Sequence, residues 1–415
     1  MDMIRCLARA GAVLAAASLL LTACSGASGT PDTPAPTPTA HPVFGQKLDR
    51  QIFLAMRRTQ QAGNAAFTQT ITFVSKKGRA VQTLSGRLDF AQGMGAATAK
   101  WELSPGLSKD VRDTVLGLTP GKGNADASGS MLVDRWTIRY RAGSAAYWLE
   151  YRMGDAETWS VQDNINTLRG SEAPIGGTLL EGLGATQATS QRGEGPGRVY
   201  QARMPSSTAW DVFPEDLRRH LSAEQEGIMS YRESFPLPAS VSVDGQGRVT
   251  HVRADFSKTL RHQDSAFKDM TSLTIDLRLA GHGTSRPGMK ADGPVRAAHD
   301  AVRRVELVKR GGCIDFSTGQ RSMPTVVDVP CTGPHDGRIF GQEKLGGRTY
   351  PGAKAARQRA GDACLTAYHR APGRWTAESA VPGRIWSMWP TENAWNRDGG
   401  HATCYVITRR GTAVD

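Results

Sequence analysis

The sequence predicts a protein of the α+β class, in which an antiparallel sheet packed with helices precedes a small disulfide-braced α+β domain. Three observations support this prediction. Residues 43–62 place apolar side chains at helical spacing, many later segments alternate apolar and polar residues, and four of the six cysteines follow residue 312. A chain of 415 residues, 39% of them hydrophobic, is long enough for two or three domains with cores of their own.

The N-terminus predicts an export signal. Arg5 and Arg9 form a short positive region, the apolar run 11–21 follows, and small residues precede Cys24. This run is shorter than the ~20 apolar residues that span a bilayer. The stretch Leu21-Thr22-Ala23-Cys24 resembles the lipobox of bacterial lipoproteins, which implies a signal peptide of residues 1–23 and diacylglyceryl attachment at Cys24. The alternatives are an ordinary cleaved signal or a short buried helix.

Residues 24–42 are predicted to form a tether. They are rich in Pro, Thr, Ser and Gly, so they bury too little surface to offset chain entropy, and they favour extended polyproline II geometry. We therefore expect a body attached by the acyl chains, such as palmitate, of its N-terminal lipid anchor. The expected location is the extracytoplasmic face of the plasma membrane.

The chain is basic, with a formal net charge of +12 and a pI of about 9.6. The basic residues are scattered and no nucleic-acid-binding motif accompanies them, so we expect no nucleic-acid partner. An envelope protein, anionic lipid or an anionic envelope polymer remains open as a partner. A compositional bias toward arginine, as in a high-GC bacterium, explains the charge equally simply and is the favoured reading.

The first predicted domain begins with a helix that Gly63-Asn64 ends. The next residues alternate as a strand does, with Phe67, Gln69, Ile71 and Phe73 on one face. A turn at Lys77-Gly78 leads to a return strand with an expected bulge at Gly86. The residues that indicate the return strand are Val81, Thr83, Leu88 and Phe90.

Further antiparallel strands are predicted up to residue 281. A weak strand at 97–103 is followed by an irregular excursion with one short helix, and a hairpin is expected around Gly143. A second hairpin turns at Asp244–Gly247, and alternation over 272–279 predicts the last strand. A helix is expected over Pro214–Gln225. The residues that alternate in the hairpin around Gly143 are Trp136, Ile138, Tyr140, Tyr147, Leu149 and Tyr151.

This order of elements resembles the LppX/LprG-type lipoprotein family of actinobacteria. The resemblance covers residues 43–281 and is strongest in the stretches 67–73, 85–90 and 236–249. It implies a curved antiparallel half-barrel over helices, with a hydrophobic cavity and a lipid ligand. The residues expected to line the cavity, or else a packed core, are Phe67, Ile71, Phe73, Leu88 and Phe90.

Residues 282–304 are predicted to be a linker, and residues 305–415 a second domain that holds Cys313, Cys331, Cys364 and Cys404. An even number of cysteines in an exported protein indicates two disulfides, although His335 near Cys331 leaves zinc as an alternative. Zinc knuckles carry closely spaced cysteine pairs, which are absent here. Of the three connectivities, we favour Cys313 with Cys331 and Cys364 with Cys404, because the first two lie on consecutive predicted strands.

The second domain resembles the actinobacterial septum-formation domain over residues 305–407. The matching stretches are GGCIDF, VVDVPCTGPHDGRIFG, GDACLTAY and WPTENAWNRDGGHATCYV. Where that family has a G-x-R segment before the last cysteine, this chain has residues 398–401. We expect His335 to fix the turn after Cys331 by bonding nearby backbone, rather than to act as a ligand or base. The Trp375, Trp386, Trp389 and Trp395 group is equally consistent with a binding surface and a small core.

No catalytic constellation is present in the sequence. GTSRPG lacks the last glycine of G-x-S-x-G, and no dinucleotide fingerprint, Walker loop or H-E-x-x-H motif occurs. We therefore expect a protein that is not an enzyme and has no cofactor or metal. Two functions stay open: an envelope lipoprotein that binds or carries a lipid or other apolar ligand, and a structural or protein-interaction lipoprotein connected with cell division.

Overall fold

The computed structural model describes residues 41–116, 128–143, 145–154, 175–214, 217–218, 221, 234–260, 267–318, 325–347 and 349–408. The predicted signal peptide, the attachment residue Cys24 and nearly all of the tether lie outside these residues. Most of the helix predicted over Pro214–Gln225 also lies outside them. The described part is of the α+β class and contains two sheets, as predicted.

The larger sheet is open and curved, and it contains twelve strands. Its neighbouring strands are antiparallel except for one pair at the edge of the sheet, in which β12 runs parallel to β6. The order across the sheet is β12-β6-β5-β4-β3-β2-β1-β11-β10-β9-β8-β7. The strands are β1 Asn64–Ser75, β2 Gly78–Asp89, β3 Met94–Leu103, β4 Ser128–Val133, β5 Thr137–Ala142, β6 Trp148–Arg152, β7 Gln187–Glu194, β8 Gly197–Pro205, β9 Pro236–Val243, β10 Val249–Asp255, β11 Met270–Ala280 and β12 Val295–Ala297.

The first helix, α1 Leu48–Gln61, packs one apolar stripe into the core of the large sheet. Ile52 and Met56 are buried at a four-residue spacing, as a helix face requires. Gly63 follows with a φ of 87°, a left-handed conformation that ends helices and that glycine adopts without strain. A short 3-10 turn at Pro42–Gly45 precedes α1. The other described helices near this sheet are α2 Lys109–Leu116 and α3 Ser206–Ala209.

Three details of the predicted strands are wrong. Gly86 pairs with Phe67 in unbroken register, so it forms no bulge; a Cβ there would lie 1.9 Å from the Ala96 carbonyl oxygen, so close strand approach requires glycine. Phe90 lies in the turn after β2, because β2 ends at Asp89. Trp136 lies in the turn before β5 and is exposed, whereas Tyr140, four residues later on the same predicted strand, is buried.

The smaller sheet contains six antiparallel strands in the order β13-β15-β14-β16-β18-β17. A long helix packs against one of its faces and places Cys364 opposite Cys404 of β18, the strand next to the edge strand β17. The strands are β13 Val302–Arg304, β14 Cys313–Asp315, β15 Thr325–Val329, β16 Gly337–Lys344, β17 Trp386–Met388 and β18 His401–Ile407. The helices after β12 are α4 Ala298–Ala301, α5 Ala353–Arg370, α6 Gly373–Thr376 and α7 Glu392–Asp398.

The segment predicted as a linker contributes strands to both sheets. Residues 295–297 form β12 beside β6, α4 follows directly, and residues 302–304 form β13 beside β15. Strands of three residues show no alternation of their own, and they exist because a neighbouring strand supplies their hydrogen bonds. Ten consecutive residues therefore supply an edge strand of the large sheet and an edge strand of the small sheet.

Side chains near β6 also hold the small sheet. The Tyr147 hydroxyl donates to Asp315 Oδ2 at 2.9 Å, and the Tyr151 hydroxyl donates to the Thr318 carbonyl. Burial raises the pKa of Tyr147, and the neighbouring Asp315 carboxylate raises it further. The Arg296 guanidinium lies 5.0 Å from the centre of the Tyr147 ring. The hydrogen bonds of Tyr147 with Asp315 and of Tyr151 with Thr318 join the two sheets, and we call this group of four residues the seam.

Candidate ligand-binding face

The candidate site is the apolar face of the large sheet that carries Phe67, Ile71 and Phe73, which we call the inner face. Residues of adjacent strands form continuous rows across it, because the register from β8 to β4 is regular at these positions. One row, centred on Gln69, consists of Gly129, Ala99, Leu84, Gln69, Leu277, Val252, Val241 and Tyr200. The next, centred on Ile71, consists of Trp101, Gln82, Ile71, Ile275, Ala254, Ala239 and Ala202.

Four of the five residues predicted to line a cavity lie together on this face. Phe67, Ile71, Phe73 and Leu88 are nearly fully buried and belong to one apolar cluster that includes side chains of α1. Phe90 is only partly buried and packs at the margin of that cluster. The prediction therefore placed the right face of β1 toward the apolar interior.

Aromatic residues that the prediction did not include gather at two places on this face. The Phe73 ring stacks on Phe267 at a centroid distance of 4.8 Å, and Trp101 lies 6.4 Å from Phe73. Phe213 packs edge-on against Phe256 at 5.2 Å, beside Trp210. Phe256 and Phe267 flank strands and Phe213 follows a 3-10 turn, so all three lie outside the alternating segments and gave no signal.

Polar side chains also enter the inner face, and four of them have hydrogen-bond partners. The Gln69 amide nitrogen donates to the Gly177 carbonyl at 2.6 Å, and its oxygen accepts from the Leu179 backbone N–H at 2.8 Å. Gln69 thereby holds the buried segment 175–183 across the face. The other three are Gln51, which accepts from the Tyr200 hydroxyl at 2.7 Å, Tyr200 itself, and Thr59, which accepts from the Val249 N–H at 2.8 Å.

Two of these groups have an electrostatic environment set by burial. Burial raises the pKa of Tyr200 to about 12, while the positive charge of Arg198 opposes this increase. The Tyr200 hydroxyl therefore stays neutral and can donate to Gln51. Gln82 differs from the other polar residues, because its side-chain oxygen is buried and has no hydrogen-bond partner among the described residues. Sequence reasoning missed Gln82, because Val81 and Thr83 on either side of it are better strand formers.

The small sheet contains the second group of predicted site residues. Cys313 is bonded to Cys331 and Cys364 to Cys404, which are the two favoured pairs. His335 is buried, and its Nδ1 lies 2.8 Å from the Gly333 carbonyl oxygen, as expected for a residue that fixes this turn. No motif or spacing in the sequence connects His335 with Glu378, whose Oε2 lies 3.2 Å from Nε2.

Cys313, His335 and Glu378 place ligand-type atoms within 4.8 Å of one another, a spacing that a metal ion could bridge. The Cys313 sulfur is committed to a disulfide, however, and thiolate is the form of cysteine that binds metals. The buried Arg338 guanidinium also donates to Glu378 at 2.6 Å and balances the charge of the carboxylate. We interpret this group as a buried ion-pair cluster that supports the first disulfide.

The four tryptophans of the small domain have different environments. Trp395 is buried against Gly400 and Tyr350, so it belongs to a core. Trp389 is 41% exposed, and the Arg357 guanidinium lies 5.3 Å from its ring centre. Trp375 and Trp386 are partly buried and are approached by Arg310 and Arg384. The group therefore serves both as core and as surface.

Comparison with protein-family models and with curated proteins gave no match. Among solved structures, the Mycobacterium tuberculosis lipoprotein LppX is similar with a TM-score of 0.27 and 12% identity, over 57% of this chain and 98% of LppX. An uncharacterized conserved protein from Thermus thermophilus gives a TM-score of 0.25 and 6% identity, over 59% and 97%. A DUF1329 family protein from Desulfovibrio piger gives 0.22 and 6%, over 57% and 92%. We draw no functional conclusion from likenesses this low.

In the part of the chain that the structure describes, no helix has the length and apolar character needed to cross a membrane.

Proposed function

We propose that the chain is a lipid-anchored, non-enzymatic lipoprotein of the cell envelope that holds a lipid against the inner face of its large sheet. The observation that carries this proposal is the continuity of the inner face, whose apolar rows extend over strands β8 to β3 without a charged side chain. The lipobox-like stretch that ends at Cys24 supports attachment to the extracytoplasmic face of the plasma membrane.

The row that contains Ile71 also suits a bound acyl chain. Three of its members are alanines, Ala254, Ala239 and Ala202, whereas the neighbouring row carries Leu277, Val252 and Val241 in the adjacent positions. Alanine fills less space than leucine or valine, so on this row the sheet itself contributes less of the buried volume. Burying a methylene group on such a surface contributes about 0.8 kcal/mol.

The direct test is lipid extraction from the purified full chain, followed by mass spectrometry. The anchor at Cys24 is covalent and stays with the protein, so the extract contains only lipid that is held non-covalently. We expect about one lipid molecule per chain. An extract no richer in lipid than a detergent-matched control protein would contradict the proposal.

The variant Ile71→Trp provides a paired test within the same row. If the inner face holds a lipid, the larger ring occupies the same space, so lipid per chain falls and the thermal midpoint changes little. If the face is a fully packed core, overpacking costs about 1–3 kcal/mol and the midpoint falls. Thr72→Trp is the matched control, since Thr72 points to the opposite face of the same strand and should alter neither quantity.

The anchor has its own test. We expect the Cys24→Ser protein to lack the diacylglyceryl group and to leave the membrane fraction, because two acyl chains supply stable attachment and their loss removes it. Fractionation and intact-mass measurement check this outcome. Retention of the Cys24→Ser protein on membranes at high salt would show that the lipobox is not what attaches the chain.

A second candidate is a structural or protein-interaction lipoprotein, which the surface of the small domain favours. Trp389, Leu365 and Val381 are large apolar residues with 41–51% of their surface exposed. Exposed tryptophan beside arginine is common at protein interfaces. The resemblance to the septum-formation domain would connect such an interface with cell division. Cross-linking of the anchored chain in its own envelope, compared with a Trp389→Ala variant, tests this candidate.

A further inference from the structure

Gln82 places a buried polar side chain among apolar residues of the inner face. It lies between Ile71 and Trp101 in one row, and it is 2% exposed. Its side-chain oxygen has no hydrogen-bond partner within the described part of the chain. A buried acceptor without a donor is unfavourable, because it has given up its hydrogen bonds to water.

Gln69 shows what the same side chain does when the fold itself uses it. The two residues are diagonal neighbours on the same face, because Gln69 pairs with Leu84 and Gln82 stands two residues before Leu84. Both ends of the Gln69 amide bond the backbone of the segment at Gly177 and Leu179. Among the described residues, no backbone group bonds the side-chain oxygen of Gln82, although a methionine or leucine would fill its position without an unsatisfied acceptor.

We propose that Gln82 is the polar recognition residue of the lipid site, and that its side-chain oxygen accepts a hydrogen bond from a hydroxyl or amide N–H group of the bound lipid. This inference rests on the proposed function. The residue thereby selects a lipid that carries a hydrogen-bond donor within its hydrocarbon portion.

The neighbours of Gln82 define this chemistry. Ile71, Leu84 and Trp101 present hydrocarbon or an aromatic ring beside it, so the donor must itself be flanked by hydrocarbon. The Gln82 side-chain oxygen is a hydrogen-bond acceptor, so an ionised carboxylate or phosphate, which also only accepts, is excluded as its partner. A cationic donor is disfavoured because none of the residues in that row carries a negative charge to balance it. A hydroxylated acyl chain or an amide-linked acyl chain has the required group.

The test compares two fatty acids that differ in one hydroxyl group. Delipidated full chain is titrated with stearate and with a hydroxystearate whose hydroxyl lies in mid-chain, and binding is followed by calorimetry. We expect the hydroxylated acid to bind about five- to tenfold more tightly, the effect of one hydrogen bond in an apolar site. Gln82→Met should abolish this preference, because methionine offers no acceptor to the hydroxyl group, and bring the ratio of the two affinities close to one. The matched control Leu84→Met, one row away on the same strand, should keep the preference.

The outcomes separate this inference from the proposed function. Failure of the parent chain to bind either acid would overturn the proposed function, and this inference with it. Equal binding of the two acids would leave the lipid site standing and show that Gln82 holds a buried water only. Thermal melting of ligand-free Gln82→Met gives a further criterion: we expect an unchanged or raised midpoint, whereas a midpoint lowered by several degrees would show a structural partner and overturn the assignment.

Discussion

The two sheets reach stability in different ways. The large sheet has one apolar cluster that extends over its strands and α1, and the sequence has no cysteine from residue 25 to residue 312. The small sheet has two separate apolar clusters of its own, one on each face, while its Val302 and Val327 join the large cluster, and it contains both disulfides. A sheet that can bury a broad face needs no covalent support, whereas a sheet with two thin cores uses it.

The positions of the two disulfides fit this difference. Cys364–Cys404 joins α5 to β18 inside one of the thin clusters, and it closes a separation of 40 residues. Cys313–Cys331 joins β14 to the loop after β15 and closes 18 residues, next to the buried ion pair of Arg338 and Glu378. In the chain-entropy model such loops contribute about 4 and about 3 kcal/mol.

The largest expected effect comes from removing the longer loop closure. We expect the double variant Cys364→Ala/Cys404→Ala to lose about 4 kcal/mol of unfolding free energy in the small sheet. Scanning calorimetry of the full chain should then show an early transition of the small sheet, with the transition of the large sheet little changed. Cys313→Ala/Cys331→Ala, which opens the shorter loop, is the comparison variant and should lose somewhat less. One transition that shifts as a whole would contradict the contrast between the sheets.

The next effect belongs to the large sheet. Gln69→Leu keeps the side chain buried but removes the partners of the Gly177 carbonyl and the Leu179 N–H. Each buried group left unsatisfied costs about 1–3 kcal/mol, so we expect a loss of about 2–4 kcal/mol in a denaturant titration. Thr68→Leu on the exposed face of the same strand should change stability by less than about 0.5 kcal/mol. Equal effects of the two variants would show that the stability of the large sheet does not depend on the hydrogen bonds that Gln69 makes on the inner face.

The smallest effect concerns the seam and depends on pH. Burial alone would raise the pKa of Asp315, but the hydrogen bond that it shares with Asp336 and those that it accepts from Ser317 and Tyr147 outweigh burial and hold the pKa below its usual value of 3.8. The stability from Asp315 is therefore present above pH 3.8 and is lost as pH falls through the lower pKa of the folded state.

We expect Asp315→Asn to lower stability at neutral pH by about 1–2 kcal/mol and to flatten the loss of stability below pH 4. Thermal midpoints measured between about pH 2 and pH 7 check both expectations. Asp269→Asn, at an exposed position, is the control and should keep the acid profile of the parent chain. An Asp315→Asn profile that parallels the parent profile at every pH would show that the seam carries no acid dependence.

Features that repeat along the chain could be predicted from the sequence. Phe67, Gln69, Ile71 and Phe73 stand two residues apart, so the face of β1 that is buried follows from the pleat alone. Gly63 ended the helix as expected. The favoured cysteine pairs came from strand order, since Cys313 and Cys331 flank what were expected to be consecutive strands. The class and the antiparallel meander depend on the same local regularities.

Features that depend on a partner strand could not be predicted. Gly86 looked like a bulge because the approach of Ala96 is visible only after β3 pairs with β2. Gln82 was not assigned to the inner face, because only its pairing with Ile71 on the neighbouring strand shows which face it occupies. Val81 and Thr83, on either side of it, suggest that the opposite face of β2 is the buried one. His335 and Glu378 are 43 residues apart, and no periodicity connects them.

The parallel strand β12 has a consequence for any shortened form of this chain. It lies along β6, whose other neighbour is β5, so it closes the edge of the large sheet with backbone hydrogen bonds. A chain cut at residue 281 would lose β12 and leave the backbone of Leu149 and its neighbours open to another molecule. Open strand edges recruit further strands. Such a fragment would therefore be prone to self-association, which the pairing of the three residues Val295–Ala297 with β6 opposes in the longer chain.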